Sequence, residues 1–152
     1  MRVSILAIGK NRKGVFKDLY EFYATRIQWE IQLVEVEVRK TLDRKKQRLN
    51  ETKKLLSYVP EGSLIVILDE SGKLLTSRAL SGWITNQADD GAKDISFLIG
   101  GSRGLDLSAI SSPSLVISLG RVTWPHLMIR GMIAEQLYRA QQILNNHPYH
   151  RD

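Results

Sequence analysis

The chain contains no cysteine. That excludes disulfides, thiolate catalysis and cysteine-ligated zinc. Proline is scarce, at four residues, and aromatics make up 7% of the chain. No apolar run reaches the roughly 18–20 residues of a membrane-spanning helix. The opening MRVSILAIGK is too short for a secretion signal and lacks a small-residue cleavage site. It reads as a buried strand, and the expected compartment is the cytoplasm. Motifs are missing too. There is no G-x-G-x-x-G after a strand, no phosphate-binding G-x-x-x-x-G-K-[ST] and no H-E-x-x-H.

Charge is what the chain has in a telling place. Its 22 Lys and Arg against 16 Asp and Glu give a net +6. The segment RKTLDRKKQRLNETKK, residues 39–54, holds eight of the bases and two of the acids. Elsewhere the two signs balance at fourteen each. The whole excess therefore lies in one segment, which should carry a field attractive to polyanions. A solvated helix face would explain the same residues; their concentration favours RNA or DNA.

The 152 residues suit one domain, 1–152, with one core. VSILAIG reads as a strand, followed by an amphipathic helix over 15–29. IQLVEVEV alternates at period two over 31–38, as in a strand with one wet face. The basic segment forms a helix over 43–57, capped by Asp43, with Leu49, Leu55 and Leu56 facing inward. SLIVILD is a continuous apolar run, as in a strand covered on both faces. A helix over 77–87 follows, with Ser77 as its cap, then the strands DISFLIGG and SLVISLG. The last helix spans about 125–145. Strands alternating with helices predict an α/β fold, a mostly parallel sheet with helices on both faces.

Such sheets bind ligands in the loops beyond the carboxyl ends of their strands. Three loops qualify: LDESGK, GGSRGLD and GRVTWPH. The last helix adds a further point. Its apolar residues Leu127, Met128, Ile129, Met132, Ile133, Leu137, Ile143 and Leu144 cover more than one stripe, so it must be buried on two sides. Pro125 suits its first turn and Thr123 or a neighbour its cap. Gly131 costs about 1 kcal/mol relative to alanine mid-helix, which a close helix crossing would justify. Glu135 and Arg139 are spaced for an i,i+4 ion pair. Arg130 and Arg139 could face a ligand, but a surface position is the safer reading for each.

LDESGK, FLIGGSRGL, ISLGRVTWPH, IRGMIAEQLYRAQQI and NHPYHR occur in that order. Together they resemble the RlmH-type (YbeA-like) branch of the SPOUT methyltransferases, enzymes of large-subunit ribosomal RNA. The resemblance runs nearly the length of the chain. It implies a trefoil knot in the C-terminal half, a homodimer, and S-adenosylmethionine as cofactor. Carried over by position, Leu68, Gly100, Gly101, Leu119, Gly120, Arg121, Val122, Thr123 and Trp124 should line the cofactor site. The implied reaction methylates N3 of a pseudouridine in 23S ribosomal RNA, with much of the recognition delegated to the ribosome.

An imide nitrogen must lose its proton before it is methylated. Tyr149, His150 and Arg151 in the tail are the candidate catalytic residues. A histidine can act as a base near neutral pH. An arginine stays protonated but can stabilise negative charge on the ring oxygens, and a tyrosine can stack on the base. The tail could complete a partner's pocket. His126 is a further base candidate, though a capping or packing role suits it slightly better. Three rival readings remain. A non-enzymatic RNA- or ribosome-binding protein would share the basic segment but need no cofactor loops. Another SPOUT enzyme could act on transfer RNA. A metal enzyme could use His147 and His150, but Pro148 disfavours a helical clip and only Asp152 could join them. No metal and no membrane partner are expected.

Overall fold

The computed structural model describes residues 1–151; Asp152, considered above beside the two histidines, lies outside them. The strands β1 (Arg2–Ile8), β2 (Glu30–Val36), β3 (Leu64–Leu74), β4 (Asp94–Ile99) and β5 (Leu115–Ser118) form one sheet. Their order is β2-β1-β4-β3-β5. All these pairings are parallel, one step beyond the mostly parallel sheet expected. Four helices accompany them: α1 (Val15–Ala24), α2 (Arg44–Leu56), α3 (Ser77–Asp89) and α4 (His126–Leu144).

Strand alternation sorts the core into two layers. Val3, Ile5 and Ala7 of β1 and Ile95, Phe97 and Ile99 of β4 pack toward α3 and α4. Leu6, Ile8 and Leu98 point the other way, against Leu55 of α2 and the Leu105–Ile110 connection. A strand buried on both faces needs apolar residues in both registers. The unbroken runs in β1 and β4 supply them.

Helix α4 is wedged between α1 and α3. A Cβ on Gly131 would stand 2.6 Å from Cγ of Leu19, so the glycine is where α1 and α4 cross closely. Across the other side, Ser77 Oγ donates to Gln136 Oε1 at 2.7 Å and Ser81 Oγ to the Ala140 carbonyl at 3.2 Å. Gln141, buried, accepts the Gln28 amide at 3.0 Å. Leu127, Met128, Met132 and Ile143 remain partly exposed, and Leu144 is exposed.

Several local expectations are corrected. The first helix ends at Ala24 rather than residue 29, because Thr25 turns its hydroxyl back onto the Glu21 carbonyl and the chain re-enters the core at Ile27. β2 ends at Val36, two residues early. α2 does not turn Leu49 inward. Its buried residues are Gln47, Thr52 and Leu55, since two of them serve as hydrogen-bonding partners for neighbouring loops. Thr76, not Ser77, caps α3, accepting the Ala79 amide at 3.1 Å. Pro125 occupies the cap position of α4, and among the described residues no side chain, Thr123 included, caps that helix. Asp43 caps α2 as expected.

The largest correction concerns Arg130. It is completely buried, not a surface residue. Its guanidinium bonds Glu35 Oε1 at 2.6 Å and the carbonyls of Ile8 and Gly9 at 2.7 and 2.8 Å. A buried charge must be paired and hydrogen-bonded. Here the ends of β1 and β2 provide both, so the arginine fastens α4 to the edge where the loops converge.

Candidate active site

In an all-parallel sheet the carboxyl ends share one edge. The loops after β4 and β5 meet there with an excursion inside β3. The stretch 69–72, expected as a loop after the strand, bulges out between two β5-paired segments of β3; the register shifts between Leu68 and Lys73. Gly72 lets the strand resume, because a Cβ there would be 2.5 Å from the Ile117 carbonyl carbon. Between these segments lies a cleft of about 800 Å³, a size that suits a small-molecule cofactor.

Eight of the nine residues nominated for cofactor binding line it: Leu68, Gly100, Gly101, Leu119, Gly120, Val122, Thr123 and Trp124. Arg121 is not among the lining residues. Its Nη1 donates to the Glu70 carbonyl and bridges the β3 excursion to the β5 loop. The loop geometry follows from sequence. Gly100 has no room for a side chain: a Cβ would stand 2.5 Å from the Gly104 carbonyl carbon. Gly104 closes the turn with its amide on the Gly101 carbonyl at 3.0 Å. Gly120 has φ +125°, where side-chain-bearing residues are strained. Ser118 Oγ accepts its amide at 3.2 Å, and the Trp124 indole donates to the Leu119 carbonyl at 3.2 Å. The β5 loop is therefore held in a fixed arc around the cleft.

The chain matches the family model described as predicted SPOUT methyltransferase over residues 1–150. Among curated proteins it is 43% identical over 151 residues to the ribosomal RNA large subunit methyltransferase H of Rhodospirillum centenum. It is 39% identical over 151 residues to that of Paramagnetospirillum magneticum, and 38% identical over 159 residues to that of Rhizobium etli. Each match covers 99% of this chain and 99% of the relative. The chain belongs to the SPOUT methyltransferase family.

Within this SPOUT chain the tail is placed away from the cleft. Tyr149 donates its hydroxyl to Glu135 Oε1 at 3.1 Å, edge-on to Tyr138 and under the Arg139 guanidinium. Burial, then the Tyr23 and Glu135 bonds, push its hydroxyl pKa up. Arg139 pairs with Glu135 and reaches His150 Nδ1 at 3.3 Å, so it is engaged rather than free on the surface. The Glu135 bond holds its guanidinium above the ordinary value. Arg151 is exposed. None of these tail residues lines the 800 Å³ cleft of the same chain. Glu135 lies nine residues along α4 from His126, about 14 Å at 1.5 Å per residue. His147 Nδ1 accepts the Tyr149 amide at 3.2 Å. Among the described residues no three histidine, aspartate or glutamate side chains group around a metal-sized site.

Sequence reasoning did not single out Arg48, Ser102 or Arg103, and it gave His126 a capping or packing role ahead of a functional one; all four line the cleft. Arg48, from the basic helix, lines the cleft. It is brought there by Thr52, whose Oγ1 accepts the Asp106 amide at 2.8 Å and so docks α2 on the β4 loop. Ser102 and Arg103 line it from within the quoted GGSRGL. His126 lines it from the first position of α4. Burial lowers the His126 pKa, the nearby Arg130 lowers it further, and Glu51 opposes both.

Proposed function

We propose that this chain transfers a methyl group from S-adenosylmethionine to N3 of a pseudouridine in 23S ribosomal RNA, on the assembled ribosome in the cytoplasm. The convergence of eight of the nine nominated residues on one cleft carries the reading. The relatives' names, ribosomal RNA large subunit methyltransferase H, supply the substrate class. The cleft fits the cofactor. Leu68, Ile99, Ile117 and Leu119 give it an apolar wall for a ring, while Gly100, Gly101 and Gly120 leave main chain approachable. Bound there, S-adenosylmethionine supplies an electrophilic methyl group. The protein's contribution is then chiefly positioning, which can account for a large share of such a barrier.

The active form is a homodimer in which the tail of each protomer serves the partner's cleft. The partly exposed apolar residues of α4, with Val15 and Phe22 exposed on α1, offer a face for a second copy. A second groove between α1 and α4 shares Ser118, Leu119 and Gly120 with the cleft and includes Tyr23 and Glu135, the partners of Tyr149. The groove thus joins the tail's seat to the cleft wall. In this arrangement His150 accepts the imide proton, Arg151 stabilises the base as an anion, and Tyr149 stacks on it.

Mass mapping of modified nucleotides tests the whole reading. Ribosomes lacking the modification, incubated with protein and S-adenosylmethionine, should gain one methyl on one pseudouridine of the large-subunit RNA. Cofactor binding by calorimetry without any modified nucleotide would refute the assigned substrate, and no cofactor binding would refute the enzyme.

A further inference from the structure

Leu42 is fully exposed, at 104% of its reference area, in the connection between β2 and α2. It is surrounded in sequence by Arg39, Lys40, Arg44, Lys45 and Lys46, each exposed. Among the described residues none of these five cations takes part in an ion pair. A leucine one residue before a helix cap usually packs against the fourth helical position, forming a hydrophobic staple. Here that position is Gln47, and it is used differently. Gln47 is buried, accepts the Thr41 amide at 2.7 Å and donates to Glu51 at 2.7 Å. Thr41 Oγ1 also donates to the Asp43 carbonyl at 3.1 Å. The loop is therefore fixed on both sides of Leu42, and the leucine has no staple to join.

The charges are placed against local stability as well. The first turn of α2 has three bases and no acid, next to the positive end of the helix dipole, where cations are unfavourable. The helix end itself is closed, because Asp43 Oδ1 accepts the Lys45 and Lys46 amides at 2.9 and 3.1 Å. Lys10 engages Glu37 at 3.5 Å. Nearby acids are thus spent internally, while the bases face outward. Arg48, on the same helix, lines the cleft. Leu42 stands two residues before the first turn of α2, from which Arg48 is four residues, about 6 Å, further along the helix.

We propose that the Arg39–Lys46 knuckle is an RNA-docking surface, in which Leu42 packs on an exposed base or ribose face while the flanking cations hold phosphates on either side. An apolar side chain between phosphate-binding cations is a known way of engaging a locally unstacked nucleic acid. RNA fits this surface better than protein does, because five unpaired cations around one leucine need a dense polyanion. The inference rests on the ribosomal reading above and adds where and how the substrate is gripped.

The test compares two variants of the full-length protein in co-sedimentation with large ribosomal subunits across a salt series. Leu42→Ser should weaken binding roughly fivefold, the scale of a lost, partly buried leucine contact, and leave the salt slope unchanged. Arg44→Glu with Lys45→Glu and Lys46→Glu should flatten that slope by roughly two to three. Both should bind S-adenosylmethionine as the wild type does. A photo-crosslinker replacing Leu42 should attach to ribosomal RNA. Unchanged binding by Leu42→Ser, or a crosslink to ribosomal protein in place of RNA, overturns the proposal. Binding is read without methyl transfer, so failure of the enzymatic reading would appear separately, as tight binding with no modified nucleotide.

Discussion

Arg130 Nη1 lies 2.6 Å from Glu35 Oε1, joining the last helix to β2 across the end of β1. The Arg130 side chain is 0% exposed and that of Glu35 is 22% exposed. Removing the acid leaves a buried cation with two carbonyl partners and no counter-charge. Breaking one side of such a pair typically costs roughly 3–5 kcal/mol. Glu35→Ala should fall at the lower end, about 3 kcal/mol, because solvent reaches part of the site. Glu35→Gln, which keeps an oxygen acceptor for Arg130, should cost less. Urea unfolding measures both; equal midpoints for Glu35→Ala and wild type would mean that the pair does not hold α4 in place.

Gly131 makes opposite demands on helix and packing. Alanine would favour the helix by about 1 kcal/mol. The added methyl would meet Leu19 at 2.6 Å, and overpacking costs about 1–3 kcal/mol. Gly131→Ala should therefore destabilise the protein by about 1 kcal/mol. In a Leu19→Ala background the same substitution should become neutral or stabilising. A double-mutant cycle by thermal melting reads the coupling, and additive effects would show that the crossing is looser than described.

How much of this was legible beforehand depended on the range of the interaction. Local pattern sufficed for the five strands, the four helices and the three loops around the cleft, because alternation and apolar runs are written in neighbouring residues. It could not supply the strand order, which places β4 between β1 and β3 through contacts far apart in sequence. It also misplaced polar residues with distant partners. Arg130 reads as a surface arginine on any helical wheel, because the Glu35 carboxylate and the Ile8 and Gly9 carbonyls that permit its burial are about a hundred residues away. Thr52 reads as solvated for the same reason, its partner Asp106 lying 54 residues away, and Arg48 could be assigned to the cleft only once Thr52 had docked α2 on the β4 loop.

His126 supplies a pH dependence with a definite sign. Burial, and then Arg130, lower its pKa in the folded protein below the unfolded value. Between those two values the unfolded state binds more protons, so stability rises with pH through that window. Above the unfolded value, about 6.5, the contribution is complete; it is lost as pH falls toward the folded one. His126→Gln should flatten this part of the stability profile, on the acid side of about pH 6.5. Melting temperatures measured across that range decide it, and parallel profiles for the two proteins would assign the slope to another group.

The tail yields the sharpest test, because its seat and its proposed work are in different places. Tyr149 is held by Glu135 and Tyr23 beside α4, outside the cleft of its own chain. Truncation before His147 should leave a folded protein that binds cofactor and does not methylate. Gly120→Val, at φ +125° in the cleft wall, should disable the cleft and spare the tail. Neither variant should be active separately. If the tail works across the dimer, a mixed dimer has one intact cleft served by one intact tail, and activity returns on mixing. If the tail works within its own chain, each protomer of the mixture still lacks one half and activity stays absent. A radiolabelled-methyl assay on ribosomes distinguishes the two outcomes, with refolded mixtures of the purified variants as the sample. Restored activity would place the tail of one chain at the cleft of the other.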